Sequence, residues 1–181
     1  MQKNIFELRT LIIMALLAAI GAVFSAYLSF ELAPTGMKTL EVSLTPVPVM
    51  LAGILFGPLA GGLVGFVADT AGFFMGVQHG AYNPLFSVTM ALFGVIAGLF
   101  YLRNKQNTVW KVTGATVVAQ VAVSIVLNTL IIWLYYGVPL SALVVPRLIG
   151  ALIELPIYAW LLMVLVTAVQ PLLARRKQEA T

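Results

Sequence analysis

Uncharged stretches constrain this chain more than any other feature: Thr10 to Phe30, Val42 to Ala68, Thr70 to Leu102, Val112 to Pro146 and Leu155 to Ala174. A bilayer-spanning helix needs about 20 mainly apolar residues, and the first and last stretches each supply one. The longer ones hold more. Asp69 is the only formal charge between Val42 and Leu102, and turn signals at Phe56-Gly57-Pro58 and at Gln78 to Pro84 divide that region into three spans. A further break at Tyr136-Gly137-Val138-Pro139 divides Val112 to Ala174 into two. A soluble domain carries roughly 25% charged residues. Here 9% of 181 residues are charged and 61% are hydrophobic, too little polarity to cover a water-facing surface. The expectation is an all-α integral membrane protein, a single domain over residues 1–181, with spans near 10–30, 44–56, 58–77, 84–102, 111–135 and 141–174.

The basic residues give the orientation. Eight of the ten fall in three clusters: Lys3 and Arg9, then Arg103, Lys105 and Lys111, then Arg175, Arg176 and Lys177. Short loops rich in Lys and Arg stay cytoplasmic. Four spans separate the first cluster from the second and two separate the second from the third. Both numbers are even, as a common side requires, so six transmembrane helices with both termini inside are expected in the bacterial plasma membrane. Once so placed, the net charge of +4 answers to the membrane rather than to nucleic acid. The first apolar run is too long for the core of a cleavable signal peptide.

Several chemistries are excluded by what the chain lacks. It has no cysteine and one histidine, His79, which removes disulfides, thiolate nucleophiles and any zinc or haem site built on paired histidines. No metal site and no cofactor is expected. There is no phosphate-binding glycine loop of the Walker type and no catalytic set of serine and histidine or of paired carboxylates, so binding or transport is the expected class.

Ionisable residues within membrane segments are functional candidates by default. Arg147 stands just inside the external end of the last span, where a guanidinium can grip a carboxylate with two hydrogen bonds; a structural ion pair is the other reading. Asp69 lies in the outer half of the third span and Glu154 near mid-membrane before Pro156, where a structural role is expected. Asn128, Thr129 and Trp133 add polar and aromatic groups near the external end of the fifth span, and His79, Tyr82 and Asn83 lie on the external loop before the fourth. Prolines and glycines at Pro34-Thr35-Gly36 and Thr45-Pro46-Val47-Pro48 mark further external breaks. Together these segments are expected to cap an external ligand cavity. In the first span Ala15/Ala19 and Ala18/Ala22 recur at four-residue spacing, which suits close helix packing, either within the bundle or against a partner.

These residues carry a family resemblance. The alanine pairs, Leu51 to Pro58, Gly61 to Asp69, Gly80 to Ser87, Leu127-Asn128-Thr129 and Pro146-Arg147-Leu148-Ile149, in this order, resemble the substrate-binding S components of energy-coupling factor (ECF) vitamin transporters. The resemblance implies a vitamin captured from outside. It also implies docking on a transmembrane scaffold subunit driven by two cytoplasmic ATPases, with Ala15, Ala18, Ala19 and Ala22 toward the scaffold, and toppling to release the vitamin inside.

The loop before the fourth span is similar to the Gly-x-Tyr-Phe-Pro-Gly-Phe-Thr of folate-type S components, but Asn83 and Leu85 replace its phenylalanine and glycine. A pteridine also wants flat stacking partners, for which the external half offers Tyr82, Phe86 and Trp133 but little more. Pantothenate needs one carboxylate clamp and a few amide or hydroxyl partners, which Arg147, Asn128, Asn83 and Thr129 could supply. The sequence therefore leans to pantothenate, with folate as the alternative. A solitary secondary transporter is the competing class, disfavoured because no inverted repeat is visible.

Overall fold

The structure, a computed structural model, describes residues 7–32, 40–76, 82–103 and 108–178. The helices are α1 (Leu8–Tyr27), α2 (Pro46–Phe56), α3 (Pro58–Met75), α4 (Pro84–Arg103), α5 (Thr108–Ala119), α6 (Asn128–Tyr136) and α7 (Leu140–Gln178). A π-helical segment, Gln120–Leu127, joins α5 to α6, so that Thr108–Tyr136 runs as one rod. Each boundary has a local cause. Prolines open α2, α3 and α4, where the missing N–H is one the helix start would leave unpaired. Gly57 at φ 102° and Gly137 at φ 65° make the two tight reversals, in conformations that a side chain would strain.

Five of these rods are long and apolar enough to cross a membrane, and the chain is a multi-pass membrane protein. The expected second span is different. With 11 residues α2 rises only about 16 Å, half of the roughly 30 Å hydrocarbon core. It is preceded by an antiparallel hairpin of β1 (Ser29–Leu32) and β2 (Leu40–Ser43), with Ser29 opposite Ser43, where the first span was expected to run to residue 30 and an external loop to follow. A membrane bundle with one short β-hairpin is the observed architecture.

The bundle is packed by size. The buried side of α1 carries Thr10, Met14, Ala18, Gly21, Ala22 and Ser25, while Leu8, Leu11, Ile12, Leu16 and Ile20 face outward. Lipid tails are as apolar as leucine, so close backbone approach by small residues, not hydrophobicity, decides which face turns inward. The same rule joins α3 to α4: a Cβ on Gly65 would lie 2.5 Å from the Met90 carbonyl oxygen and 2.9 Å from Ala91 Cα. At the centre is α2, with Val47, Val49, Met50, Leu51, Ala52 and Ile54 all buried.

Neighbours fix how high α2 reaches. Gly21 of α1 sits against both Ala68 of α3 and Pro48 of α2. With the basic clusters placed on the cytoplasmic side, α1 and α3 continue outward past this level to Tyr27 and Met75. The central helix therefore starts below the external ends of α1 and α3, and its start would leave buried N–H groups unpaired. Prolines at 46 and 48 remove two of them, and Val47 N–H donates to Leu44 O at 3.1 Å. This is why a helix can begin inside the bundle here.

Candidate functional site

Two polar clusters flank the first turn of α2. The first joins α3, α4 and the residues just before α4. Asp69 Oδ2 accepts from Ser87 Oγ at 2.6 Å, and Tyr82 OH lies 2.8 Å from Ser87 Oγ and 3.0 Å from Thr70 Oγ1. The Tyr82 ring leans on Phe73 (centroids 5.1 Å apart) and on Phe74 (5.5 Å). Asp69 thus fastens Tyr82 through Ser87, and three aromatic rings collect at the external end of α3. Phe73, Phe74, Thr70 and Ser87 were not among the sequence candidates. Phe73 and Phe74 sit one turn beyond Asp69, and that spacing was the available signal.

The second cluster lies between the π segment and α7. Glu154, 5% exposed, accepts from Gln120 Nε2 and from the backbone N–H of Ser43 at 3.3 Å. Tyr158 OH donates to the carbonyl of the same Ser43. Gln120 was also missed: nothing in an apolar run shows which polar residue will meet a carboxylate 34 positions away.

Arg147 lies seven residues externally of Glu154 on α7, about 10 Å closer to the membrane surface. Its Nη1 donates to the carbonyl of Ser124 at 2.8 Å. Ser124 sits within the π segment, where i→i+5 pairing loosens the carbonyl ladder, and such segments recur at functional sites. Arg147 is half-buried and held at the inner wall of the external half. Next along the rod, Asn128 Oδ1 and Thr129 Oγ1 are buried and have no hydrogen-bond partner among the described residues. A buried polar atom left unpaired costs about 1–3 kcal/mol, so Asn128 Oδ1 and Thr129 Oγ1, one turn along the rod from the Ser124 that Arg147 meets, are candidates to meet a ligand.

The remaining candidates separate. Asn83 Oδ1 accepts from the Leu85 N–H at 3.0 Å, which caps the start of α4 and occupies that oxygen with a structural duty. Trp133, Tyr135 and Tyr136 are exposed near the external end of α6, where aromatic side chains suit the membrane interface. His79 lies outside the described residues. The four alanines of α1 divide: Ala18 and Ala22 are buried, and Ala22 O lies against Gly72 of α3, whereas Ala15 and Ala19 face outward. Packing within the bundle thus takes up Ala18 and Ala22, while Ala15 and Ala19 remain on the outer face. Among the described residues no group of three or more His, Cys, Asp or Glu could hold a metal ion.

Comparison with known proteins gives concordant matches. Residues 9–169 match the family profile described as ECF transporter, substrate-specific component. The folate transporter FolT of Clostridium novyi (strain NT) is 30% identical over 153 residues, which cover 84% of this chain and 85% of that protein. The crystal structure of FolT bound with folic acid aligns with a TM-score of 0.71 at 35% identity, over 85% of this chain and 90% of that one. The S component of a bacterial ECF transporter, at 23% identity and a TM-score of 0.61 over 88% and 96% of the two chains, shares the fold.

Proposed function

This chain belongs to the substrate-specific components of ECF transporters, and we propose that within that family it captures folate at the outer membrane face. The observation that carries this reading is the similarity, at 30–35% identity across most of both chains, to proteins named for folate transport or solved with folic acid bound. It favours the folate alternative over the lean to pantothenate, which rested on Asn83 and Leu85 in the loop before α4, on few stacking partners, and on a carboxylate clamp with a few amides. Those groups serve folate equally well, because its glutamate tail is also a carboxylate and its pteridine also needs polar partners.

The arrangement of the site supports this assignment. A flat pteridine suits the Phe73–Tyr82–Phe74 ring cluster, which Asp69 and Ser87 hold in place. The glutamate tail carries carboxylates that suit Arg147, while Asn128 Oδ1 and Thr129 Oγ1, one turn along the rod from the Ser124 that Arg147 meets, offer further hydrogen-bonding atoms. Docking on a transmembrane scaffold would use the outward alanines Ala15 and Ala19 of α1, and two cytoplasmic ATPases would drive the cycle from that module.

Mass spectrometry of small molecules retained by the purified protein tests this reading. Folate or a reduced folate is expected in near-stoichiometric amount. Retained pantothenate with no pteridine compound would refute it.

A further inference from the structure

Ser43 ends β2 three residues before the start of α2, and α7 holds both polar groups of its backbone. Its N–H donates to Glu154 Oε1 and its carbonyl accepts from Tyr158 OH. Glu154 and Tyr158 are four residues apart, one turn along a single helix face. Gln120 Nε2 steadies the second carboxylate oxygen from the π segment. The Ser43 hydroxyl lies 2.7 Å from Ser29 Oγ across the hairpin and 2.7 Å from Thr45 Oγ1. Ser43, Thr45, Gln120, Glu154 and Tyr158 are each more than nine-tenths buried.

A hairpin can pack on a helix through apolar contacts alone, and a carboxylate within a membrane segment is costly. Apolar contact lets a strand slide. Hydrogen bonds to both sides of one residue do not, because their distances tolerate only a few tenths of an ångström. The grip therefore fixes one point of the chain, the hinge between hairpin and central helix, against α7. That point is tied through Glu154 to Gln120, one turn along the rod from Ser124, whose carbonyl Arg147 meets.

We propose that Glu154 and Tyr158 form a clasp on Ser43 that fixes the base of the β1–β2 hairpin at the level of the first turn of α2, and that release of bound vitamin requires the clasp to open. Glu154 and Tyr158 are positioning residues in this scheme and make no contact with the vitamin. The release half rests on the folate reading above; the clasp itself does not.

The test compares the native full chain with Tyr158→Phe, Glu154→Gln and Glu154→Leu in lipid nanodiscs. Amide hydrogen exchange is measured without ligand, and folic acid dissociation is measured by displacement. Tyr158→Phe keeps the ring and loses only the donor. It should speed exchange over Leu40–Thr45 without changing exchange in α3 and α4, and should speed release on the order of tenfold, the equivalent of about 1.4 kcal/mol, with association unchanged. Glu154→Leu should do the same more strongly. Glu154→Gln keeps an acceptor for the Ser43 N–H, and the Gln120 amide can turn to meet it, so near-native exchange and release are expected. Native exchange in Tyr158→Phe, or faster exchange with native release, overturns the proposal. If the native protein binds no folic acid, the folate reading fails separately. Exchange then still judges the clasp, and release is followed with whichever vitamin the purified protein retains.

Discussion

Replacing Gly65 with alanine tests the packing that holds the site together. Alanine is the better helix former by roughly 0.5–1 kcal/mol, so a helix free of neighbours would gain. In this bundle the added methyl would lie 2.5 Å from the Met90 carbonyl oxygen and 2.9 Å from Ala91 Cα, all backbone, and ordinary contact begins at 3.4 Å. No rotamer change relieves that clash, so α3 and α4 must separate locally. A gap of 0.5–1 Å forfeits a quarter to a half of each affected van der Waals contact, and overpacking typically costs 1–3 kcal/mol. Subtracting the propensity gain leaves a net loss on the order of 1–2 kcal/mol. One turn outward the same two helices carry the 2.6 Å Asp69–Ser87 hydrogen bond, so folic acid binding should weaken as well. Gly62→Ala is the control. Its methyl would meet only one side-chain atom, Val95 Cγ2 at 3.0 Å, with the next atom 3.9 Å away and no backbone closer than that. Thermal unfolding in detergent should therefore rank native and Gly62→Ala together, with Gly65→Ala clearly below. Equal stability of Gly65→Ala and native, or equal loss in both variants, would refute this account of the α3–α4 contact.

Arg147→Ala should weaken folic acid binding by a factor of roughly 30 to 4,000, from about 2–5 kcal/mol for a lost charge-assisted contact in a desolvated site. Lysine should restore only part, since it lacks the planar fork; calorimetric titration of folded variants decides, and unchanged affinity in Arg147→Ala removes it from the site. Ala15→Leu should leave vitamin binding intact and abolish co-purification with the transport module, whereas Ala22→Leu, buried against α3, should destabilise the isolated protein. Loss of binding in Ala15→Leu would contradict the outward placement of that residue. With both termini inside, a cysteine at Thr108 should resist an impermeant thiol reagent on intact cells while one at Tyr136 reacts, and the reverse pattern would invert the topology.

Long uncharged runs made the helices legible, because in a bilayer only a closed backbone can follow an apolar sequence across. The short reach of α2 was less legible. Val42 to Phe56 is uncharged throughout, and only the prolines at 46 and 48 hint that its first residues are not helical. The hairpin depends on pairing Ser29 with Ser43, a register that no local signal announces. Four-residue spacing exposed the alanines of α1 but not their division, since both pairs satisfy it. The distinguishing signal is the run Thr10, Met14, Ala18, Gly21, Ala22 and Ser25, which places the small and polar residues on one face. Asp69 and Arg147 stood out as charges in apolar helices, but their companions Ser87 and Ser124 are ordinary in sequence and acquire meaning only through the fold. The choice of vitamin was not legible from residue types, because carboxylate clamps and buried amides suit many vitamins equally.

The central claim is that this chain is a folate receptor, and equilibrium titration of the purified, ligand-stripped protein with folic acid and with pantothenate tests it most directly. The account predicts saturable one-to-one binding of folic acid and no binding of pantothenate over the same concentration range. Pantothenate binding in the absence of folic acid binding would contradict it.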